Sequence, residues 1–385
     1  MMRVRTLSRL LRLSAALVVM GTAQLVFAAG PGAKQHPTSM NALPTGGKVV
    51  AGSATIKGVG GNVINVNQTS ERAVVNWDTF NVAQGATVNF NQPSSSSTTL
   101  NYVKGADASV INGTVNANGQ VILVNSNGVV FGKGAEVNVG GMVATTMDTS
   151  AEEFMSGKNT QTYKGVATGK VINRGRINVM SPDGYVALMA PEVQNEGVVL
   201  ATMSGKNAVA LVAGQQVTLT FSGSQLTNVS VDASVINALI ENKRLIKTEG
   251  GHIVLAANSV TELMGSTIRN TGVISANSIN TSGGKIRLSA ETVTQAGTIT
   301  ANGGLEKGSN KTPSPAVSQL NATGGDITIQ GKEITLAAGS VTSAKGAARG
   351  GNINVGTTKV SYTENADGTR SNIKAENLAE RTTLE

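Results

Sequence analysis

Cysteine is absent from the 385 residues, so neither a disulfide nor a Cys-bearing zinc cluster can form. Histidine occurs twice, as His36 and His252, in unrelated contexts. With no G-x-S-x-G segment either, a nucleophile paired with a base has little to build on. Aromatic residues make up 3% and charged residues 14%, against about 25% charged in an average globular chain. A conventional compact enzyme core would use more aromatic bulk. A disordered chain would carry more charge and fewer aliphatics than the 40% hydrophobic fraction seen here. What the chain does have is 46 glycines among Val, Ile, Ala, Thr, Ser and Asn. That is a β-rich composition with many tight turns.

The positive charge is concentrated at the start. Arg3, Arg5, Arg9 and Arg12 precede an apolar run from Leu13 to Phe27 that ends in Val26-Phe27-Ala28-Ala29. This is the pattern of a secretory signal peptide over residues 1–28, cleaved between Ala28 and Ala29. The run is short for a membrane span and is interrupted by Gly21, Thr22 and Gln24. Removing the four leader arginines takes the formal charge from +8 to +4. No dense basic stripe with interleaved aromatics remains, so no nucleic-acid partner is expected. An exported chain without disulfides relies on burial and backbone pairing for stability, and it stays threadable until late.

Residues 29–47 hold Pro31, Pro37 and Pro44 and read as an irregular lead-in. From Lys48 onward, short Val/Ile/Thr-rich runs alternate with Gly or Asn-Gly, a strand signal. The second half repeats openly: GGHIVLAANSVT (250–261), GGKIRLSAETVT (283–294), GGDITIQGKEIT (324–335) and GGNINVGTTKVS (350–361), with SPDGYVALMAPEVQ (181–194) as a looser copy. A second element recurs as NRGRINV, NEGVVLA, NTGVISAN and QAGTITAN. One such unit cannot bury its own apolar face, but parallel stacking of units does so. The predicted fold class is all-β: a right-handed parallel β-helix with an N-terminal cap near residues 48–66 and small extra-helical β elements. At roughly 20–25 residues per coil it should have about fifteen coils and an axis of about 70 Å. The glycines are expected at corners needing unusual backbone angles, and stacked Asn residues are expected to form hydrogen-bonded ladders.

Several segments break the pattern. Val121–Val124 and Val129–Phe131 are continuously apolar, which predicts strands covered on both faces by an extra layer. Val235, Ile236, Leu239 and Ile240 have helical spacing after the potential caps Asp232 and Ser234. The segment 226–248 therefore reads as a corner insertion lying on the solenoid, with one short helix. Residues 303–323 read as an extruded Pro/Ser/Lys-rich loop.

Carbohydrate cleavage is the enzymatic alternative, because it needs only paired carboxylates on one face. Its candidates are Asp148, Glu152, Glu153 and Asp183, with Glu152–Glu153 read as a solvated turn. No Asp-Asp or Asp-x-Asp pair lies in a strand, so no catalytic residue, cofactor or metal ligand is assigned. The sequons at Asn67, Asn112, Asn228, Asn280, Asn310 and Asn321 are expected from composition alone.

The stretch NWDTFNVAQGATVNFNQPSSSSTTLNYVKG (76–105), followed by INGTVNANGQVILVNSNGVVFGKGAEVNVGGMVATTMD (111–148), resembles the secretion domain of the filamentous haemagglutinin and high-molecular-weight adhesin family. These are the exported partners of two-partner secretion. The resemblance extends over residues 29–300, with further repeats and a polar tail over 301–385. It implies Sec-dependent export to the periplasm, then passage through a dedicated outer-membrane barrel with POTRA domains. The product would be a surface or secreted adhesin of a Gram-negative cell, with a host glycan or protein as receptor. The family's Asn-Pro-Asn-Gly signature falls on Asn125-Ser126-Asn127-Gly128, with Ser in place of Pro. Of its Asn-Pro-Asn-Leu signature only the flanks Gln92-Pro93 and Leu100-Asn101 remain. Read from the residues alone, Asn127-Gly128 is a tight turn between strands. The polar end at Glu385 is read as a short member, a truncated product or a delivery stalk of a toxin or haem-acquisition exoprotein.

Overall fold

The computed structural model describes residues 42–165, 168–203, 205–232, 237–257, 265–279, 281–304 and 320–356, together with the backbone of strands Lys359–Tyr362, Asn372–Glu376 and Arg381–Thr382. The leader with Ala28 and Ala29 lies outside these residues, as do Ser234, Val235, Ile236 and most of the expected loop at 303–323.

Three long sheets of 11, 9 and 13 strands run along one axis, and a fourth sheet of four strands lies to the side. A single coil shows the logic. Tyr185–Ala190 lies in the first sheet, Glu192–Asn195 in the second and Val198–Ala201 in the third. Ala208–Ala213 then returns to the first sheet, paired in parallel with Tyr185–Ala190. This is a parallel β-helix. The Gly-Gly repeats stack as read: His252–Ala257, Lys285–Ser289, Asp326–Gln330 and Asn352–Gly356 are successive parallel partners. The second recurring element stacks in the third sheet.

Antiparallel pairing in the three long sheets is confined to the two ends among the described residues. Lys48–Ala51 pairs with Arg72–Trp77, and Ala54–Val59 pairs with Val63–Gln68. These strands cover the first open edges, which would otherwise template further pairing. From Val63–Gln68 to Asn372–Glu376 the third sheet has eleven parallel levels, an axis of about 50 Å at normal strand spacing. This is shorter than the expected fifteen coils, because excursions from the coil consume chain.

Inside, like residues sit above like. The row Leu123, Ala144, Leu188, Leu211, Leu255, Leu288, Ile329 is continuous and fully buried. A second interior row is polar. Asn173 donates to Asn195 (2.8 Å), Asn195 to Asn242 (2.8 Å), Asn242 to Asn270 (2.7 Å), and Asn270 to Gln295 (2.7 Å). All five side chains are 0% exposed. Each amide is both donor and acceptor, so a stack satisfies its members without water.

Three of the four Gly-Gly corners have a different cause from the one expected, and Gly250 alone in these pairs has a positive φ, +61. Gly284, Gly325 and Gly351 do not have positive φ. A Cβ on Gly325 would lie 1.9 Å from the Gly284 oxygen, and one on Gly351 would lie 2.0 Å from the Gly325 oxygen. Glycine is needed there because one corner packs directly on the next.

The side sheet contains Asp148–Thr149, Thr160–Lys164, Gln216–Ser222 and Gln225–Val231, all antiparallel. It lies on the outer face of the first sheet and encloses a second apolar core with Leu100, Ile122, Val143, Ala187 and Met189. Gln120–Val124 is accordingly buried at every position, as its apolar run predicts. Val129–Phe131 is not doubly covered, since Val130 is partly exposed in the second sheet. The helix expected around Leu239 and Ile240 is a strand, Ala238–Asn242, with alternating burial. A short apolar run with one polar interruption fits either period, and stacking between neighbouring coils decided it. Residues 226–231 belong to the side sheet and 238–248 to regular coils, so the segment is not one insertion. A helix does occur at Ala151–Met155, where a solvated turn was expected. Ser150 caps it, its hydroxyl accepting the Glu153 N–H at 3.1 Å.

Candidate secretion motif

Asn125-Ser126-Asn127-Gly128 joins the first sheet to the second, following Gln120–Val124 and preceding Val129–Phe131. The Gly128 N–H donates to the Asn125 carbonyl at 2.9 Å, closing a four-residue turn. The Asn127 N–H donates to the Asn125 side-chain oxygen at 3.0 Å, an Asx turn within it. The remaining amide hydrogens hold a neighbouring loop. Asn125 Nδ2 donates to the Asp107 carbonyl and the Ser109 hydroxyl, both at 3.0 Å. Asn127 Nδ2 donates to the Gly105 carbonyl at 2.9 Å. Gly128 has φ +122, and a Cβ there would lie 3.0 Å from the Lys170 oxygen, so both backbone and space favour glycine.

Asn125 is 0% exposed. Within the motif only Ser126 is exposed, and Asn127 is partly so. Ser126 occupies the second turn position, where proline is favoured in this turn type. The family's proline therefore fits the geometry, and serine supplies it with less backbone restriction.

The other flanks behave differently. Gln92 is a buried hub: its Nε2 donates to the Ser97 carbonyl (3.0 Å), the Thr99 hydroxyl (3.1 Å) and the Gln120 carbonyl (3.0 Å), and its Oε1 accepts the Gly119 N–H (3.0 Å). Pro93 is exposed beside it. Leu100 and Asn101 point to opposite faces of one strand. Leu100 packs in the core under the side sheet. Asn101 turns inward, accepts the Trp77 indole N–H at 3.0 Å and donates to the Thr99 and Ile122 carbonyls at 3.2 Å. The four residues thus share no surface; contacts through Thr99 link Gln92 to Asn101. Residues around them carry a partly exposed Asn ladder, Asn65–Asn89–Asn116–Asn138–Asn178, with steps of 2.7–3.1 Å.

Residues 38–301 match the family described as TPS secretion domain. The chain belongs to that family. It is similar to the HMW1 secretion domain of Haemophilus influenzae, whose crystal structure superposes with a TM-score of 0.59 at 25% identity, over 83% of this chain and 96% of that one. Two heme/hemopexin-binding proteins of Haemophilus influenzae are 33% identical over 255 residues and 30% identical over 325 residues. The alignments cover 65% and 75% of this chain but 28% and 34% of those proteins, so the chain spans about a third of these relatives' length. Residues 38–301 are thus the TPS secretion domain of an exoprotein of two-partner secretion.

Where the side sheet ends, a groove of about 640 Å³ opens on the first sheet. Leu226 and Val229 overhang it, Val254 floors it, and His252, Lys285 and Arg287 line its open side. Burial holds the His252 pKa below the ordinary imidazole value, and the charges of Lys285 and Lys206 add to this. The carboxylates that could serve glycan cleavage lie on three elements. Glu152 and Glu153 head the short helix, Asp148 lies on a side-sheet strand, and Asp183 sits in a turn with φ +58, accepting the Lys206 N–H at 2.7 Å.

Proposed function

We propose that this chain crosses the inner membrane by the Sec route, leaves the periplasm unfolded through its transporter, and coils into the β-helix outside. The parallel ladder carries this reading. Each coil has an open edge until the next arrives, so folding can advance one level at a time behind the emerging chain. No cysteine is present to lock a coil before export. In the periplasm, the unfolded strand segments would add to a sheet edge of the transporter's POTRA domains.

Burial of the motif residues bears on when they act. Asn125 and Asn101 are fully buried, so a partner would reach them before folding. Asn125–Gly128 and the Gln92, Pro93, Leu100 and Asn101 flanks are assigned to that engagement and then to shaping the first coils. The test is surface delivery with and without the transporter; equal delivery would overturn the reading. Replacing Asn125 and Asn127 together by Ala should reduce secretion. Normal secretion of a stably folded double variant would remove the motif from the mechanism.

For the exported product, an adhesive surface protein that contacts a host glycan or protein suits the long solenoid faces. A second reading, haem or hemopexin capture, is favoured by the names of the two relatives at 33% and 30% identity. Binding of the purified chain to hemopexin, with and without haem, set against adhesion to host cells, separates the two.

A further inference from the structure

A cleft of about 60 Å³ lies between the short helix, the side sheet and the first sheet, with Arg72, Gln120, Phe154, Lys158, Tyr163 and Tyr185 among its lining residues. Arg72 stacks on Phe154, its guanidinium carbon 5.1 Å from the ring centroid. Among the described residues Arg72 has no ion pair. Tyr163 is 0% exposed, and its hydroxyl has no hydrogen-bond partner. An orphaned hydroxyl at that depth calls for a partner.

The charged groups of the lining are all cations, while Ser96, Thr98, Asn159 and Gln161 can both donate and accept. Arg72 and Lys158 are donors without acceptor capacity. The Gln120 Oε1 is already taken, by the Tyr185 hydroxyl at 3.1 Å and the Thr98 hydroxyl at 3.2 Å. That leaves the Gln120 amide hydrogens and the Tyr163 hydroxyl as further donors among the lining residues. No carboxylate lines the cleft; Glu153, on the helix beside it, acts on Tyr163 only as the weakest of several influences. Two cations and a set of donors around a small volume suit a guest that only accepts hydrogen bonds and carries negative charge.

We infer that this cleft binds a small anion, of halide or formate size, which fastens the helix and side sheet to the solenoid. Binding to the folded state raises stability with anion concentration and then saturates. The experiment is thermal unfolding of the full secreted chain as sodium chloride or formate replaces sodium gluconate at constant ionic strength. The midpoint should rise by roughly 2–4 °C, and sulfate, being bulkier, should give less. Tyr163→Phe removes only the orphaned oxygen, so that variant folds, and it should lose most of the rise. Arg72→Met, which keeps a long side chain over Phe154, should abolish it. Crystals grown with bromide should show an anomalous peak beside Arg72. An unchanged midpoint, an equal rise in Tyr163→Phe, or ordered water without a bromide peak would each overturn the site. If Arg72→Met fails to fold, Tyr163→Phe and the bromide peak still decide.

Discussion

The first sheet is built from one backbone pattern but has two kinds of outer face. Follow one outward row through register partners. Val74, Leu100, Ile122, Val143, Ala187 and Ala210 lie beneath the side sheet. Val254 comes next at the boundary, then Arg287, Thr328 and Asn354 where nothing in the side sheet covers them. The inward rows do not change character: Leu211 and Leu288 are both 0% exposed. The coil therefore holds itself together from inside. An apolar outer row is not part of the solenoid's own stability; it is the imprint of a docked layer. The switch from Val254 to Arg287 coincides with the groove that opens at the end of that layer.

The sharpest way to break this comparison is to place a charge in both halves of the row. Val143→Asp buries an unpaired carboxylate beneath the side sheet and should cost about 3–5 kcal/mol. Thr328→Asp, on the bare half, should change stability by about 0.5 kcal/mol or less. Denaturant unfolding gives the two values, and hydrogen exchange shows whether the side-sheet strands open first in Val143→Asp. Similar costs at the two positions would mean that the cover contributes nothing. The inner row supplies the control. Leu211→Ala and Leu288→Ala should each cost about 2–5 kcal/mol, with little difference between halves. A much milder effect at Leu288 would show that the core is not continuous along the axis.

Much of this was legible before any coordinates. Alternation between glycines marked the strands, because each side chain had one face to satisfy. The register of the four Gly-Gly copies followed, because equivalent residues stack. The unbroken run Val121–Val124 announced the cover, because a strand wetted on one side would alternate. The same rule failed at Val129–Phe131, where three residues are too few to separate a doubly buried strand from one that ends in a half-exposed position. It failed again at Leu239–Ile240, where helix and strand periods coincide over a few residues. The helix at Ala151–Met155 was missed, although Ser150-x-x-Glu153 is a capping-box spacing. Of the candidate motif, the turn at Asn127-Gly128 was readable from local chemistry. Which face Leu100 and Asn101 each take, and the wiring of Gln92 to Gln120 and Gly119, were not, because these depend on coils more than twenty residues away.

The two polar devices are smaller than the apolar ones and can be ranked. Asn242→Ala in the buried ladder leaves the Asn195 amide with only the Leu245 carbonyl at 3.3 Å as acceptor and Asn270 without its donor, and should cost about 1–3 kcal/mol. Leucine at the same place would add packing but not restore the bonds, so it should not rescue the loss. Ser126→Pro should act in the opposite direction. Proline at the second turn position restricts the unfolded chain, and a gain of about 0.4–1 kcal/mol is expected. A loss would show that Ser126 has backbone angles which proline cannot adopt.

The smallest effect tests the boundary itself. His252 pairs in register with Ala208 on the covered side and Lys285 on the bare side. Lys285, Arg287 and Asp326 share the groove with it, and Lys206 also bears on it. Burial, then Lys285, then Lys206 favour its neutral form in the folded chain. The unfolded chain titrates near the ordinary imidazole value of about 6.5. As pH falls through that value the unfolded chain takes up the proton first, so stability declines with falling pH until the lower folded pKa is reached. Above the ordinary value the group contributes no pH dependence. His252→Asn should flatten the slope in that window, and Lys285→Met should move the folded imidazole partly back toward its ordinary value. Imidazole NMR titration, assigned by comparison with His252→Asn, reads the shift directly. If His252 titrates at or above the ordinary value, the groove is more open and less basic than its lining implies, and the cover ends before Val254 in the row.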